Sequence, residues 1–259
     1  AAQVPIGLGH LMTAAAQLPD FKFVEDRGSS RIAKEPIGVC GFITPWNWPL
    51  NQVMCKVAPA LAMGCTMVLK PSEVAPFSAA IVAEIFDAAG VPAGVFNLVN
   101  GDGPGVGNAL ASHPGIDMIS FTGSTRAGIE VAKSAAPSVK RVAQELGGKS
   151  PNIVLADAPD LDAAARSAVG AIFYNQGEVC TAASRLLVQN SIKPQFMERL
   201  LAHAREWISA NPLDPTTRIG AMVDHIQMEQ VLNYIAIGQQ AMIEFVGHGG
   251  ISCRAVAAG

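Results

Sequence analysis

Residues 37–70, IGVCGFITPWNWPLNQVMCKVAPALAMGCTMVLK, decide the fold. Ile37 to Ile43 is a short β-rich apolar run. The prolines at 45 and 49 stiffen a turn around Trp46, Asn47 and Trp48. Leu50 to Met63 is apolar enough for a buried helix, and Thr66 to Leu69 returns to a strand that stops at Lys70-Pro71. This strand–helix–strand unit repeats downstream. Phe77 to Ala89 is a helix, with Ile81, Val82, Ile85, Phe86 and Ala89 at helical spacing, Pro76 in its first turn and Gly90 at its end. Val95 to Val99 is a strand, Pro104 to Ala111 a short helix, and Asp117 to Phe121 a strand. A helix starts at Ser124, and a strand runs from Arg141 to Leu146. Such repetition predicts an α/β protein with a parallel sheet covered by helices on both faces. Ligands of such sheets bind at the carboxyl ends of the strands. The unusual residues fall there: Thr44-Pro45-Trp46-Asn47, Lys70-Pro71-Ser72-Glu73, Asn100-Gly101-Asp102-Gly103 and Thr122-Gly123-Ser124-Thr125.

Past Glu145 the pattern restarts, which places a domain boundary near Gly147-Gly148. Ile153 to Leu155 reads as a strand, Asp160 to Phe173 as a helix, Arg185 to Val188 as a strand, and Gln195 to Ile208 and Met222 to Ile237 as helices. The Gly- and Ala-rich stretch from Gly247 to Gly259 has no period, so no structure is assigned to it.

Half of the residues are hydrophobic and 15% are charged, so the chain can build a large apolar core. A formal net charge of −3 gives no attraction to nucleic acid or to an acidic membrane surface. No apolar run reaches bilayer-spanning length, and the N-terminus has no signal-peptide pattern. It also lacks an initiator Met and reads as the middle of a longer sequence. Five cysteines, an odd number without CxxC spacing, argue against a disulfide framework or a metal site and for a reducing, cytoplasmic location.

Cys180 lies in Asn175-Gln176-Gly177-Glu178-Val179-Cys180-Thr181-Ala182-Ala183-Ser184-Arg185, after a Gly-containing turn and before small residues. A turn leading into a helix N-terminus would give a thiol access and a field favouring thiolate. On spacing alone Cys180 is either a packed thiol or a nucleophile, and Glu178 nearby disfavours thiolate. Glu145 closes an apolar strand before a Gly-Gly turn, where partial desolvation would make a carboxylate a usable base; a solvated strand-end Glu is the alternative. The amide of Asn47 could stabilise an oxyanion or could make a local turn bond. Lys70 and Glu73 could grip a ribose through its hydroxyls, with Glu73 repelling a 2′-phosphate, or could form a surface ion pair. Gly101-Asp102-Gly103-Pro104-Gly105-Val106-Gly107 misses the dinucleotide fingerprint, because Val106 stands where the third glycine belongs. Phe121-Thr122-Gly123-Ser124 follows a strand and opens a helix, so its N–H groups and the Ser124 hydroxyl could hold a phosphate.

Taken in order, PWNWP, LKPSE, FTGST, ELGGKSP and NQGEVCTAASR resemble the aldehyde dehydrogenase superfamily, over about Glu35 through Tyr234. The resemblance implies a Rossmann-related parallel-sheet NAD-binding domain without GxGxxG (residues 37–147) and part of an α/β catalytic domain (residues 148–240). Residues 1–36 would hold a partial N-terminal helix and an oligomerisation hairpin near Phe21 to Pro36. It implies Cys180 as nucleophile, Asn47 with the Cys180 N–H as oxyanion hole, and Glu145 as base. The cofactor cleft would be lined by Ile43, Thr44, Pro45, Trp46, Lys70, Ser72, Glu73, Gly103, Gly107, Phe121, Thr122, Gly123, Ser124 and Leu146. The implied cofactor is NAD, with NADP possible, and the implied partners are a small aldehyde and further copies of the chain, with no nucleic acid, membrane or metal.

Family members extend further at both ends, and the tail from Ala241 to Gly259 does not look like the family. A second reading is therefore a non-catalytic remnant that binds NAD weakly or joins a complete homologue. A third, a coenzyme-A-dependent acylating relative, lacks the glutamate base, and Glu145 speaks against it.

Overall fold

The computed structural model describes residues 3–246, with side chains described through residue 240; Gly247 to Gly259, left without assigned structure above, lies outside them. Among the described residues the elements are helix α1 (Gln3–Gln17), a hairpin of β1 (Val24–Arg27) and β2 (Ser30–Ala33), β3 (Val39–Ile43), α2 (Pro49–Ala62), β4 (Thr66–Lys70), α3 (Phe77–Ala88), β5 (Phe96–Leu98), α4 (Asn108–Ser112), β6 (Met118–Gly123), α5 (Thr125–Ala135), β7 (Arg141–Leu146), β8 (Pro151–Val154), α6 (Leu161–Phe173), β9 (Arg185–Val188), α7 (Lys193–Ala204) and α8 (His225–Val246). The described residues form two compact units, residues 3–154 with 178–187, and residues 155–177 with 188–246.

The first unit is built on a five-stranded sheet in the order β5-β4-β3-β6-β7, with every pairing parallel. Alternate side chains serve opposite faces. On one face Cys40, Phe42, Met67 and Leu69 pack with Val53, Met54 and Val57 of α2 and with Ala79, Val82 and Phe86 of α3. On the other, Ile43, Ile119 and Phe121 pack with Leu110 and Ala111 of α4 and Val131 of α5. Burial on both faces is why these strands read as apolar runs without alternation. The strand order reverses between β3 and β6, and their carboxyl ends flank the crevice where a doubly wound sheet takes its ligand.

Three local readings change. The short helix over Pro104 to Ala111 is two pieces: Asp102 accepts a bond from the Gly105 N–H (2.8 Å), holding residues 103–107 in a wide π-type turn before α4. The four glycines and prolines among residues 103–107 supply too little helix propensity for a regular start.

In the second unit Asp160 caps α6, its carboxylate accepting from the N–H groups of Asp162 (3.0 Å) and Ala163 (2.9 Å). Ala165, Ala168, Val169 and Phe196 are buried there. The helix read as Gln195 to Ile208 ends at Ala204 instead. Trp207 leaves the helix to meet Phe173 edge-on, with ring centroids 6.1 Å apart. The last helix starts at His225 rather than Met222, because the Asp224 carboxylate accepts from the Gln227 N–H (2.7 Å).

Candidate active site

Strand β3 carries Ile43 and Thr44 into the crevice, both buried, and the proline-bounded turn then presents Pro45, Trp46 and Asn47, all half-buried. Phe121 and Thr122 reach the same level on β6, since Phe121 is the register partner of Ile43. The hydroxyls of Thr44 and Thr122 are buried without a hydrogen-bond partner among the described residues. Two orphaned hydroxyls at one strand-order reversal fit a polar ligand laid across it.

Lys70 ends β4 and is 2% exposed. Its ammonium donates to the Pro71 carbonyl (2.9 Å) and to a Glu73 carboxylate oxygen (3.1 Å). Glu73 itself is exposed, so the pair is a buried cation aimed out at an accessible carboxylate rather than a surface ion pair. Ser72 is buried beside it. Gly107 is also buried, and a Cβ there would lie 3.9 Å from Lys70 Cδ, so the turn after β5 closes on the lysine. Gly103 stays exposed. Ser124 is the N-cap of α5: its hydroxyl oxygen accepts from the Ala127 N–H (3.2 Å) and keeps its own proton to donate. Gly123 and Leu146 are half-buried at the ends of β6 and β7.

The Asn47 amide donates to the Glu178 carbonyl at 2.6 Å, two residues ahead of Cys180. On the other side, a Cβ built on Gly148 would lie 3.2 Å from the Cys180 carbonyl oxygen, a tight contact that any side chain there would relieve only by shifting the Cys180 backbone by a few tenths of an ångström. Arg185 fastens the same two segments, donating from Nε to the Lys149 carbonyl (2.7 Å) and from its N–H to the Ser150 carbonyl (3.2 Å). Thus the segments bearing Asn47, Glu145 and Cys180 are drawn together, although these residues are far apart in sequence.

One expectation is corrected and one choice is decided. No helix begins after Cys180; residues 181–184 are turn and coil leading into β9, so no helix N-terminus acts on the half-buried thiol. Glu145 is exposed, so of the two readings of its position the solvated strand-end carboxylate is the one observed.

Sequence reasoning missed Lys56. It is 8% exposed, points from α2 to the sheet and donates to the Ser120 hydroxyl (2.9 Å). Burial holds its ammonium below the ordinary lysine range, against the pull of Cys55 and Glu145. Lys56, Ser120, Cys55 and Glu145 share the wall of one cavity of about 540 Å³ with the thiols of Cys40 and Cys65. Burial raises the Cys55 thiol and lifts that of Cys40 to about 12, where Cys65 adds to the effect. The available signal was a lysine inside an otherwise apolar helical run.

The family model of the aldehyde dehydrogenase family matches residues 8–256, so the chain belongs to the aldehyde dehydrogenase family. That match runs past Gln240, into the stretch from Ala241 that was read above as unlike the family. A 3-succinoylsemialdehyde-pyridine dehydrogenase of a Pseudomonas species is 57% identical over 237 residues, 91% of this chain and 49% of the relative. Among solved structures, aldehyde dehydrogenase C of Pseudomonas syringae, a cysteine-to-alanine mutant complexed with NAD+ and octanal, superposes with a TM-score of 0.90 at 47% identity, over 92% of this chain and 49% of that one. A gamma-glutamyl-gamma-aminobutyraldehyde dehydrogenase of Burkholderia cenocepacia gives 0.89 at 48% identity, over 93% and 50%. The chain spans about half the length of the curated relatives it matches. Among the described residues no helix is long and apolar enough to cross a membrane, and no cluster of ligating side chains could hold a metal.

Proposed function

We propose that this chain carries the cofactor crevice and catalytic residues of an NAD-dependent oxidation of an aldehyde to a carboxylic acid. The observation that carries the proposal is the convergence on one place of Asn47, the Cys180 loop and the turn after Glu145. In this reading the Cys180 thiolate adds to the aldehyde carbonyl and gives a thiohemiacetal on sulfur. The Asn47 amide and the Cys180 N–H hold the oxygen as its charge develops. When bound, the nicotinamide cofactor supplies the hydride acceptor. The acyl group then remains on Cys180 as a thioester. Glu145 takes a proton from the water that cleaves it, releasing the acid and restoring the thiol.

The residues present fit that cofactor. Lys70 and Glu73 would hold the adenine ribose, and Ser124 with the N–H groups opening α5 the pyrophosphate. The orphaned hydroxyls of Thr44 and Thr122 line its path beside Ile43, Pro45, Trp46, Phe121, Gly123 and Leu146. Ser72, Gly103 and Gly107 complete the ribose end. The exposed Glu73 carboxylate favours NAD over NADP by repelling a 2′-phosphate.

In domain terms, residues 37–147 are the cofactor domain and residues 148–240 the start of the catalytic domain, with 1–36 serving assembly. The hairpin exposes Val24 and Ile32 beside Phe21 and Phe23, a surface suited to further copies of the chain. The free thiols of Cys40, Cys55, Cys65 and Cys180 support a reducing compartment such as the cytoplasm.

The exposure of Glu145 favours a second reading, in which the chain binds cofactor without turnover. One experiment separates the two. The purified chain is mixed with NAD+ and octanal or a pyridine-bearing semialdehyde, NADH absorbance is followed beside a Cys180→Ala control, and NAD+ binding is measured by calorimetry. Cysteine-dependent NADH formation supports catalysis. Binding without NADH from folded protein establishes the second reading, and absence of both overturns the assignment of the crevice.

A further inference from the structure

The pairing of α6 with α7 carries a charged cluster that the aldehyde chemistry does not use. His203, in the last turn of α7, is 15% exposed at its side chain and lies between two carboxylates. Its Nε2 is 2.9 Å from Asp162 Oδ1, in the first turn of α6, and its Nδ1 is 3.5 Å from Glu206 Oε1, just beyond α7. The second oxygen of each carboxylate holds an arginine: Arg166 Nη2 is 2.8 Å from Asp162 Oδ2, and Arg218 Nη1 is 3.1 Å from Glu206 Oε2. Arg218 also lies over the Trp207 ring at 5.6 Å. Arg199, one turn earlier in α7, donates to the Gln195 carbonyl, and the Asp160 carboxylate is engaged in capping α6.

A neutral imidazole has one N–H and one lone pair. It can donate to one of the two carboxylates and must turn the lone pair toward the other. A doubly protonated ring donates to both, and the carbonyls ending α7 also favour a cation there. The two arginines oppose that charge, but each is engaged on the far side of its carboxylate.

We propose that His203 is a proton-operated clasp between α6 and α7. Protonated, it ties the first turn of α6 to the end of α7 through Asp162 and Glu206; deprotonated, it gives up one tie. The Asp162 carboxyl is held below its usual range by His203 first and Arg166 second, which agrees with a tie that favours the charged carboxylate. Helix α6, whose first turn the clasp ties, runs on into the left-handed turn at Asn175 and Gln176.

The test is peptide-level hydrogen exchange on the full chain at about pH 5.5 and 8.5, on either side of the imidazole range, with rates corrected for intrinsic exchange. Peptides from α6 and α7 are compared with peptides from β3, which controls for global unfolding. In the wild type, protection of α6 and α7 relative to β3 is expected to fall about fivefold at the higher pH, the scale of one ordinary intramolecular hydrogen bond. His203→Arg, a cation at both values, is expected to keep the protection at both, and His203→Gln to lack it at both. Protection in the wild type that is flat with pH, or the same loss in His203→Arg, overturns the proposal. If His203→Gln does not fold, the comparison of wild type with His203→Arg still decides. None of these readouts depends on aldehyde turnover.

Discussion

Replacing Lys56 by methionine should stabilise the fold, and the size of the effect follows from what surrounds the ammonium. Lys56 is 8% exposed, donates to Ser120 at 2.9 Å, and has no carboxylate within ion-pair distance among the described residues. Replacing buried ionic groups by apolar ones of similar volume commonly gains about 1–4 kcal/mol. The cavity of about 540 Å³ beside the lysine lets water relieve part of the cost, which favours the lower half of that range. Against the gain, the Ser120 hydroxyl loses its partner, at about 1 kcal/mol. The net expectation for Lys56→Met is a stabilisation of about 1 kcal/mol at neutral pH, and Lys56→Met combined with Ser120→Ala should gain roughly 1 kcal/mol more. The pH dependence has a definite sign. The folded-state pKa of Lys56 lies below its unfolded value, so between the two the unfolded chain binds more protons and stability rises with pH. The burden of the charge is fully present below the folded pKa and is relieved above it, so the advantage of methionine should shrink as pH rises into the alkaline range. Urea denaturation of wild type and variant, at neutral pH and at about pH 10, measures both quantities. A Lys56→Met chain less stable than wild type by about 1 kcal/mol or more at both values would refute the reasoning, since the lysine would then be contributing net stabilisation despite its burial.

Phe196 is fully buried in the second unit, so Phe196→Ala should cost about 3–5 kcal/mol, read as a drop in the denaturation midpoint without loss of NAD+ binding by the first unit. Glu73→Gln removes the carboxylate held by Lys70 and should improve the affinity for NADP+ relative to NAD+ by about tenfold, measured by calorimetry; an unchanged ratio would remove Glu73 from the ribose site. Gly148→Val places a branched side chain against the Cys180 carbonyl, so Cys180-dependent NADH formation should fall by about a hundredfold while the Kd for NAD+ stays within about twofold. Equal loss of binding and turnover would show that the crevice, and not the nucleophile loop, had moved.

The sheet was legible because its strands are buried on both faces and therefore read as apolar runs between turn residues. Local chemistry marked several boundaries as well: Pro49 opens α2, and Ser124 caps α5. Helix ends that depend on contacts distant in sequence were not legible. Helix α7 stops at Ala204 because Trp207 turns onto Phe173, while its residues alone would carry the pattern to Ile208.

The site divides in the same way. Asn47, Lys70, Glu73, Glu145 and Cys180 stand out in the sequence because polar groups of those kinds at strand ends and beside glycines have a chemical purpose. Their order as motifs was enough to indicate the family. Exposure and proximity required the tertiary structure. It set Glu145 in the open, denied Cys180 a helix N-terminus, and brought the Asn47 amide to the Glu178 carbonyl across 131 residues of chain. It also buried Lys56 against Ser120 and placed both on a cavity shared with Glu145. The physical reason is that residue type and short-range periodicity specify which elements form and which side chains can do chemistry, whereas desolvation and approach depend on which elements the fold packs side by side.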